Sequence, residues 1–133
     1  MHWTRAWHTA TTLSNGKILV TGGMTDGNDV LKTVELYDPL TEKWKNVSSM
    51  VHSRYGHTAT LLTNGKLLVI GGQDSTGNVL NSAESFDPST ETWTVTGSMI
   101  NKRSKHTASL LRNGNVLVAG GGTGGDIFPG MGP

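Results

Sequence analysis

The sequence predicts an all-β repeat fold, and three features carry that prediction. The stretch His57-Thr58-Ala59-Thr60-Leu61-Leu62 recurs almost unchanged at His8 to Leu13 and at His106 to Leu111, in steps of 49 residues. Asn15-Gly16, Asn64-Gly65 and Asn113-Gly114 keep the same step, as do Gly22-Gly23, Gly71-Gly72 and Gly120-Gly121. Helical periodicity is absent throughout, while 18 glycines sit mostly at turn positions, as short strands and tight turns require. Residues 1–49 align with 50–98 without a gap, and 23 of the 49 positions are identical. A fixed period of this length means one supersecondary unit copied. Positions that recur hold the unit together; positions that differ are free for other work.

The second copy shows the elements most clearly. His57 to Thr63 is rich in Thr, Leu and Ala and reads as strand A; Lys66 to Ile70 is strand B. Asn64-Gly65 between them predicts a hairpin with the positive-φ pair of a type I′ turn. The run Leu67-Leu68-Val69-Ile70 is continuously apolar, which predicts burial on both faces. Gly71-Gly72 ends it, where backbones or a bulky neighbour approach closely. About ten polar residues follow, Gln73 to Ser82. Ala83 to Phe86 is strand C with Phe86 inward, Asp87-Pro88-Ser89-Thr90 a type I turn, and Thr92 to Val95 strand D. The first copy repeats this with Glu35, Tyr37, Asp38-Pro39, Thr41 and Trp44. Met1, Met50 and Met99 share one phase, dividing the chain into 1–49, 50–98 and a partial 99–133. The third unit is expected to hold strands A and B only, with a Gly/Pro-rich tail. The chain is expected to be a fragment of a longer array.

Four short antiparallel strands per unit, stacked by repetition, are the signature of a β-propeller blade. The unit resembles the kelch repeat specifically. It has a double glycine after the second strand, then an aromatic and a Trp with six residues between: Gly22-Gly23, Tyr37 and Trp44, then Gly71-Gly72, Phe86 and Trp93. The Arg at the start of strand A (Arg5, Arg54, Arg103) fits as well. In the third copy Gly120-Gly121 are present, but the aromatic, the Asp-Pro turn and the Trp never arrive. The resemblance implies a kelch-type propeller with strand A nearest the axis and strand D at the rim. It also implies that Phe86 or Tyr37 and the following Trp pack on a neighbouring blade over the double glycine. About two and a half blades make an incomplete ring.

Composition excludes several function classes. A net charge of +1 offers no electrostatic case for nucleic acid or an anionic membrane. The absence of Cys leaves no disulfide, thiolate nucleophile or zinc ribbon. No apolar run approaches the length of a membrane span, and Met1 to Arg5 opens no signal peptide, which leaves the compartment undetermined.

Chemistry-bearing residues read mostly as scaffold. His8, His57 and His106 are the candidate ligands for a metal at the axis, since imidazole is the commonest ligand. They recur with the Thr and Ala of the same strand, and strand A offers no carboxylate to orient them, so no metal and no cofactor are expected. Arg5, Arg54 and Arg103 recur likewise, with Glu35 and Glu84 of strand C the expected partners rather than a bound anion. The pairs Glu35/Asp38 and Glu84/Asp87 are better explained by turn chemistry than by acid–base catalysis. Asn46-Val47-Ser48 is a glycosylation sequon, meaningful only in a secreted protein. The tail Gly120 to Gly125 lacks the Lys-Ser/Thr of a phosphate loop.

Alternating strand direction divides the connections between two faces. The A–B and C–D turns are short and repeated; the D–A and B–C connections vary. Trp3, Ala6 and Trp7 become His52, Tyr55 and Gly56, then Asn101, Ser104 and Lys105, while Gln73 to Asn78 replaces Met24 to Asp29. Variable loops on a rigid scaffold are where binding usually resides. Trp3, Trp7, His52, Tyr55, Gln73, Asp74 and Lys105 are therefore the candidate contacts for a protein or glycan. The expected function is a non-catalytic binding module, completed by further blades of a parent chain or by another copy. Two alternatives are a non-catalytic piece of an enzyme resembling galactose oxidase, and a structural repeat of a surface or filament assembly.

Overall fold

The computed structural model describes residues 5–121 and 125–128. All the secondary structure there is β. The first sheet orders β1 (Thr9–Thr12), β2 (Ile18–Thr21), β3 (Val34–Asp38) and β4 (Lys43–Val47) side by side and antiparallel. The second repeats it with β5 (Thr58–Leu61), β6 (Leu67–Ile70), β7 (Ser82–Asp87) and β8 (Thr92–Ser98). The third holds β9 (Thr107–Leu110), β10 (Val116–Ala119) and β11 (Gly125–Phe128). Strands β1, β5 and β9 adjoin one another, so strand A of each unit is innermost. All four residues of β6 are buried, as a continuous aliphatic run requires.

Two turn details differ from expectation. The A–B hairpins are not type I′, because Gly16, Gly65 and Gly114 have positive φ while the preceding Asn does not. Gly65 N–H donates to the Leu62 carbonyl at 3.0 Å and Leu62 N–H to Lys66 at 2.8 Å. This is a three-residue loop with a single left-handed glycine. Asn64 Oδ1 accepts from Lys66 N–H at 3.0 Å, a bond that holds Asn64 on the ordinary side of φ. The Asp-Pro turns are one residue wider than a type I turn: Glu91 N–H reaches back to the Asp87 carbonyl at 2.7 Å, with Glu91 at φ 55°.

The third unit corrects the two-strand expectation. β11 pairs antiparallel with β10, placing Phe128 opposite Val116 and Asp126 opposite Val118. These register positions match Phe86 opposite Leu67 and Glu84 opposite Val69. The B–C connection is shorter here, so an aromatic and an acidic residue arrive out of the 49-residue phase but in structural register. Sequence periodicity cannot see a register restored by a shortened loop.

The core lies between sheets. Leu13, Leu19, Val34 and Leu36 of the first sheet pack against Met50, Leu67, Val69 and Phe86 of the second, with Trp93 partly covered beside them. Leu62, Leu68, Ile70 and Ala83 meet Met99, Val116 and Val118 in the same way. Phe86 and Trp93 therefore do face the neighbouring unit, their ring centroids 5.1 Å apart. They do not lie over the double glycine. A Cβ on Gly22 would stand 2.6 Å from the Arg54 carbonyl, 2.8 Å from the His57 ring and 3.1 Å from Met50. In the first two units the first glycine of the pair makes room for the start of the next unit's strand A and the second for that of its own unit, neither for an aromatic.

Candidate binding face

The arginine at the start of strand A ties the unit together from within. Arg54 is fully buried. Its guanidinium donates to the Gly71 carbonyl (2.9 Å), the Ser82 carbonyl (3.0 Å) and Glu84 Oε2 (2.9 Å). Arg5 repeats this on Gly22, Thr33 and Glu35, the last at 2.7 Å, and Arg103 donates to the Gly120 carbonyl. Two roles follow: the end of strand B is bound to the start of strand C, and a buried carboxylate is balanced. Glu84 also accepts from Val51 N–H (2.6 Å) and His52 N–H (3.0 Å), which fixes the D–A connection of the second unit. Burial lowers the Arg54 pKa, and the Glu84 charge opposes that shift. None of these groups faces solvent.

The variable connections do share one face. Tyr55 and Gln73 exchange main-chain hydrogen bonds at 3.0 and 2.9 Å, joining the D–A and B–C segments as Ala6 and Met24 do in the first unit. Their side chains are half-buried. Trp7 is 56% exposed, and the Lys105 ammonium sits 4.9 Å from its ring centre, bridging first and third units at the inner end of the face. Trp3 lies outside the described residues. His52 and Asp74 meet in a cleft of about 380 Å³ between the first two units, lined also by Val30, Lys32, Val51, Ser53, Ser75 and Leu80.

Within that cleft Asp74 is chiefly a loop organiser. Its Oδ1 accepts from Thr76 N–H (2.9 Å), Thr76 Oγ1 (2.8 Å) and Asn78 N–H (3.0 Å), and the Thr76 hydroxyl contributes most to holding its pKa low. Of the seven candidate contacts, the structure thus joins Trp7 with Lys105, Tyr55 with Gln73, and His52 with Asp74. Sequence reasoning missed Lys32, whose counterpart Asn81 differs, because it lies past the first six positions of the B–C connection, beside strand C.

Two of the three histidines meet threonine hydroxyls of the preceding unit. His57 Nε2 lies 3.1 Å from Thr9 Oγ1 and 3.2 Å from Thr21 Oγ1; His106 Nε2 lies 3.0 Å from Thr58 Oγ1. His57 and His106 each therefore stitch one strand A to the preceding unit. Burial first, then the charge of the neighbouring arginine, lowers the His57 pKa to about 3 and that of His106 to about 4. Among the described residues no three His, Cys, Asp or Glu side chains are grouped to hold a metal, and no helix is long and apolar enough to cross a membrane.

No curated protein matches the chain. Residues 3–131 match the family described as the KLHDC2/KLHL20/DRC7 Kelch-repeats domain. Domains of this kind are in general non-catalytic modules that bind protein partners. With its four-stranded antiparallel sheets, double glycines and inner strand A, the chain belongs to the Kelch-repeat family and is built of kelch-type propeller blades.

Proposed function

We propose that this chain is a non-catalytic module that recognises a protein partner through its variable-loop face. The cleft between the first two units carries this reading. It combines apolar walls (Val30, Val51, Leu80) with polar groups (Lys32, His52, Ser53, Asp74), the composition of a recognition site. The buried Glu84 holds Val51 and His52 in place through their main-chain N–H groups, so the site is formed before a partner arrives. Trp7 and Lys105 extend it toward the inner strands. The opposite face offers short turns whose Asp38 and Asp87 side chains bond their own backbone. Protein is favoured over glycan because the family binds proteins.

Peptides selected from a displayed random library against the intact chain provide the probe. Replacing Trp7, His52 and Lys105 by Ala is expected to weaken the best binder at least tenfold. Leu40→Ala, 95% exposed on the turn face, is expected to leave it unchanged. Binders lost on Leu40→Ala and kept by the triple variant would refute the assignment.

A further inference from the structure

We propose that the three Asn-Gly hairpins are modification sites gated by the fold: each asparagine deamidates when its unit opens, and the isoaspartate formed keeps that hairpin from closing again. The chemistry needs no co-reactant but water. In Asn64-Gly65 the glycine nitrogen attacks the side-chain carbonyl carbon of the asparagine. A new C–N bond closes a succinimide ring, and the amide nitrogen leaves as ammonia with the glycine proton. Water then opens the ring at either carbonyl. One product is Asp; the other is isoaspartate, whose main chain runs through the former side-chain carbons. A following glycine has no Cβ to hinder the attack. Of the asparagines in this chain, only Asn15, Asn64 and Asn113 precede one.

Space does not shield these sites. Asn15 and Asn113 are exposed and Asn64 is half-buried. A Cβ added at Gly16 or Gly114 would meet nothing within 4 Å. Two hydrogen bonds hold the reacting atoms instead. The glycine N–H donates to the main chain three residues back, at 3.0 Å in every copy: Gly16 to Leu13, Gly65 to Leu62, Gly114 to Leu111. The carboxamide oxygen accepts from the N–H two residues on, again at 3.0 Å: Lys17 to Asn15, Lys66 to Asn64, Asn115 to Asn113. For the ring to close, the glycine nitrogen must give up its proton, which the first bond opposes. The carboxamide must also swing toward that nitrogen, which the second opposes. Both bonds break together when the hairpin opens. All the partners lie within the hairpin, so the protection does not depend on what flanks the three units.

The product decides whether the unit can return. Asp keeps an acceptor where Asn had one. Isoaspartate adds one carbon to the main chain of a loop whose ends are already fixed. Leu62 N–H bonds to Lys66 at 2.8 Å, and Leu61 pairs with Leu67 immediately outside it. The remaining carboxylate sits on Cα, one carbon nearer the backbone, and no longer spans to the Lys66 N–H. Loop length sets hairpin register, so the extra atom displaces strand A against strand B. An opened unit that is modified before it closes is thereby lost to the native state.

The test ages the 133-residue chain at neutral pH, folded in buffer and unfolded in guanidinium chloride. After proteolysis the three hairpin peptides are followed by chromatography and mass spectrometry, which separate Asn, Asp and isoaspartate. Each Asn-Gly is expected to convert at least tenfold more slowly in the folded chain. When the aged, unfolded sample is returned to buffer, the refolded fraction is expected to hold at least fivefold less isoaspartate at these sites than the mixture it came from, and no less Asp. Asn64→Asp, made by mutation, should refold like the unaltered chain. Equal conversion rates in the two states overturn the gating. Isoaspartate undiminished in the refolded fraction, or failure of Asn64→Asp to refold, overturns the trap.

Discussion

Glu84 and His57 show two ways in which a buried polar residue is used here. Glu84 is a fully buried carboxylate whose neighbours, Arg54 and two main-chain N–H groups, together match its charge and lone pairs. His57 is kept neutral instead. Its Nε2 meets two threonine hydroxyls, while its buried Nδ1 has no hydrogen-bond partner, so a proton there would be an unsatisfied charged donor. The sign of the pH effect follows. In the unfolded chain these imidazoles titrate near pH ~6.5. In the folded chain His57 does so at about 3 and His106 at about 4. Below the unfolded value the unfolded state binds more protons, so stability is full above pH ~6.5 and declines as pH falls toward the folded values. Each histidine contributes a slope of up to about 1.4 kcal/mol per pH unit. Urea unfolding between neutrality and pH ~4.5 measures it, and a flat profile would mean that these rings are solvated.

At the scale of the element, the glycines separate into two kinds that the sequence writes identically. Gly65 ends a hairpin at φ +84° with only the Ser14 hydroxyl, at an unstrained 3.9 Å, near a would-be Cβ. Gly71 combines φ +68° with the Arg103 carbonyl only 2.5 Å from that position and the His106 ring at 2.8 Å. Gly65→Ala should therefore cost about 1 kcal/mol, the left-handed penalty alone. Gly71→Ala should cost about 3 kcal/mol or more, because main chain of the next unit must also move. Thermal unfolding of the two variants checks the ranking, and equal losses would show that the units do not approach this closely. The strands themselves were legible: Leu67 to Ile70 is a buried strand, and Asp87-Pro88 a turn. The turn subtypes were not, because Asn-Gly and Asp-Pro each fit more than one turn: Asn64 accepts from Lys66 N–H two residues on, and Glu91 N–H reaches back four residues to Asp87.

For the whole molecule, stability resides between units. A lone four-stranded sheet has two apolar faces, and here Phe86 is covered by the first sheet, not by its own. Trp93 joins that contact and donates its indole N–H to the Ser48 carbonyl at 2.9 Å. Trp93→Ala should lower stability by about 3 kcal/mol, the low end for a large aromatic because the ring is half-exposed. The denaturant midpoint should fall without a change in slope. A loss under about 1 kcal/mol would place the ring outside the interface.

The 49-residue period by itself determined the unit, its strand order and the family resemblance, since each of these repeats wherever the same local contacts must be made. It also marked Arg54 and Glu84 as scaffold residues, because a group bonded inside every unit must recur in every unit. What lies between units was decided only by tertiary structure. That includes the residues seated over the double glycine, the hydroxyls meeting His57, and the cleft that gathers Lys32 with His52. Inside the third unit, the return of Phe128 to the register of Phe86 also escapes the period, because a shortened connection restores pairing without restoring phase. The physical reason for the first three is one. A period records which residues are alike, whereas a contact depends on the twist and offset with which one sheet is laid on the next.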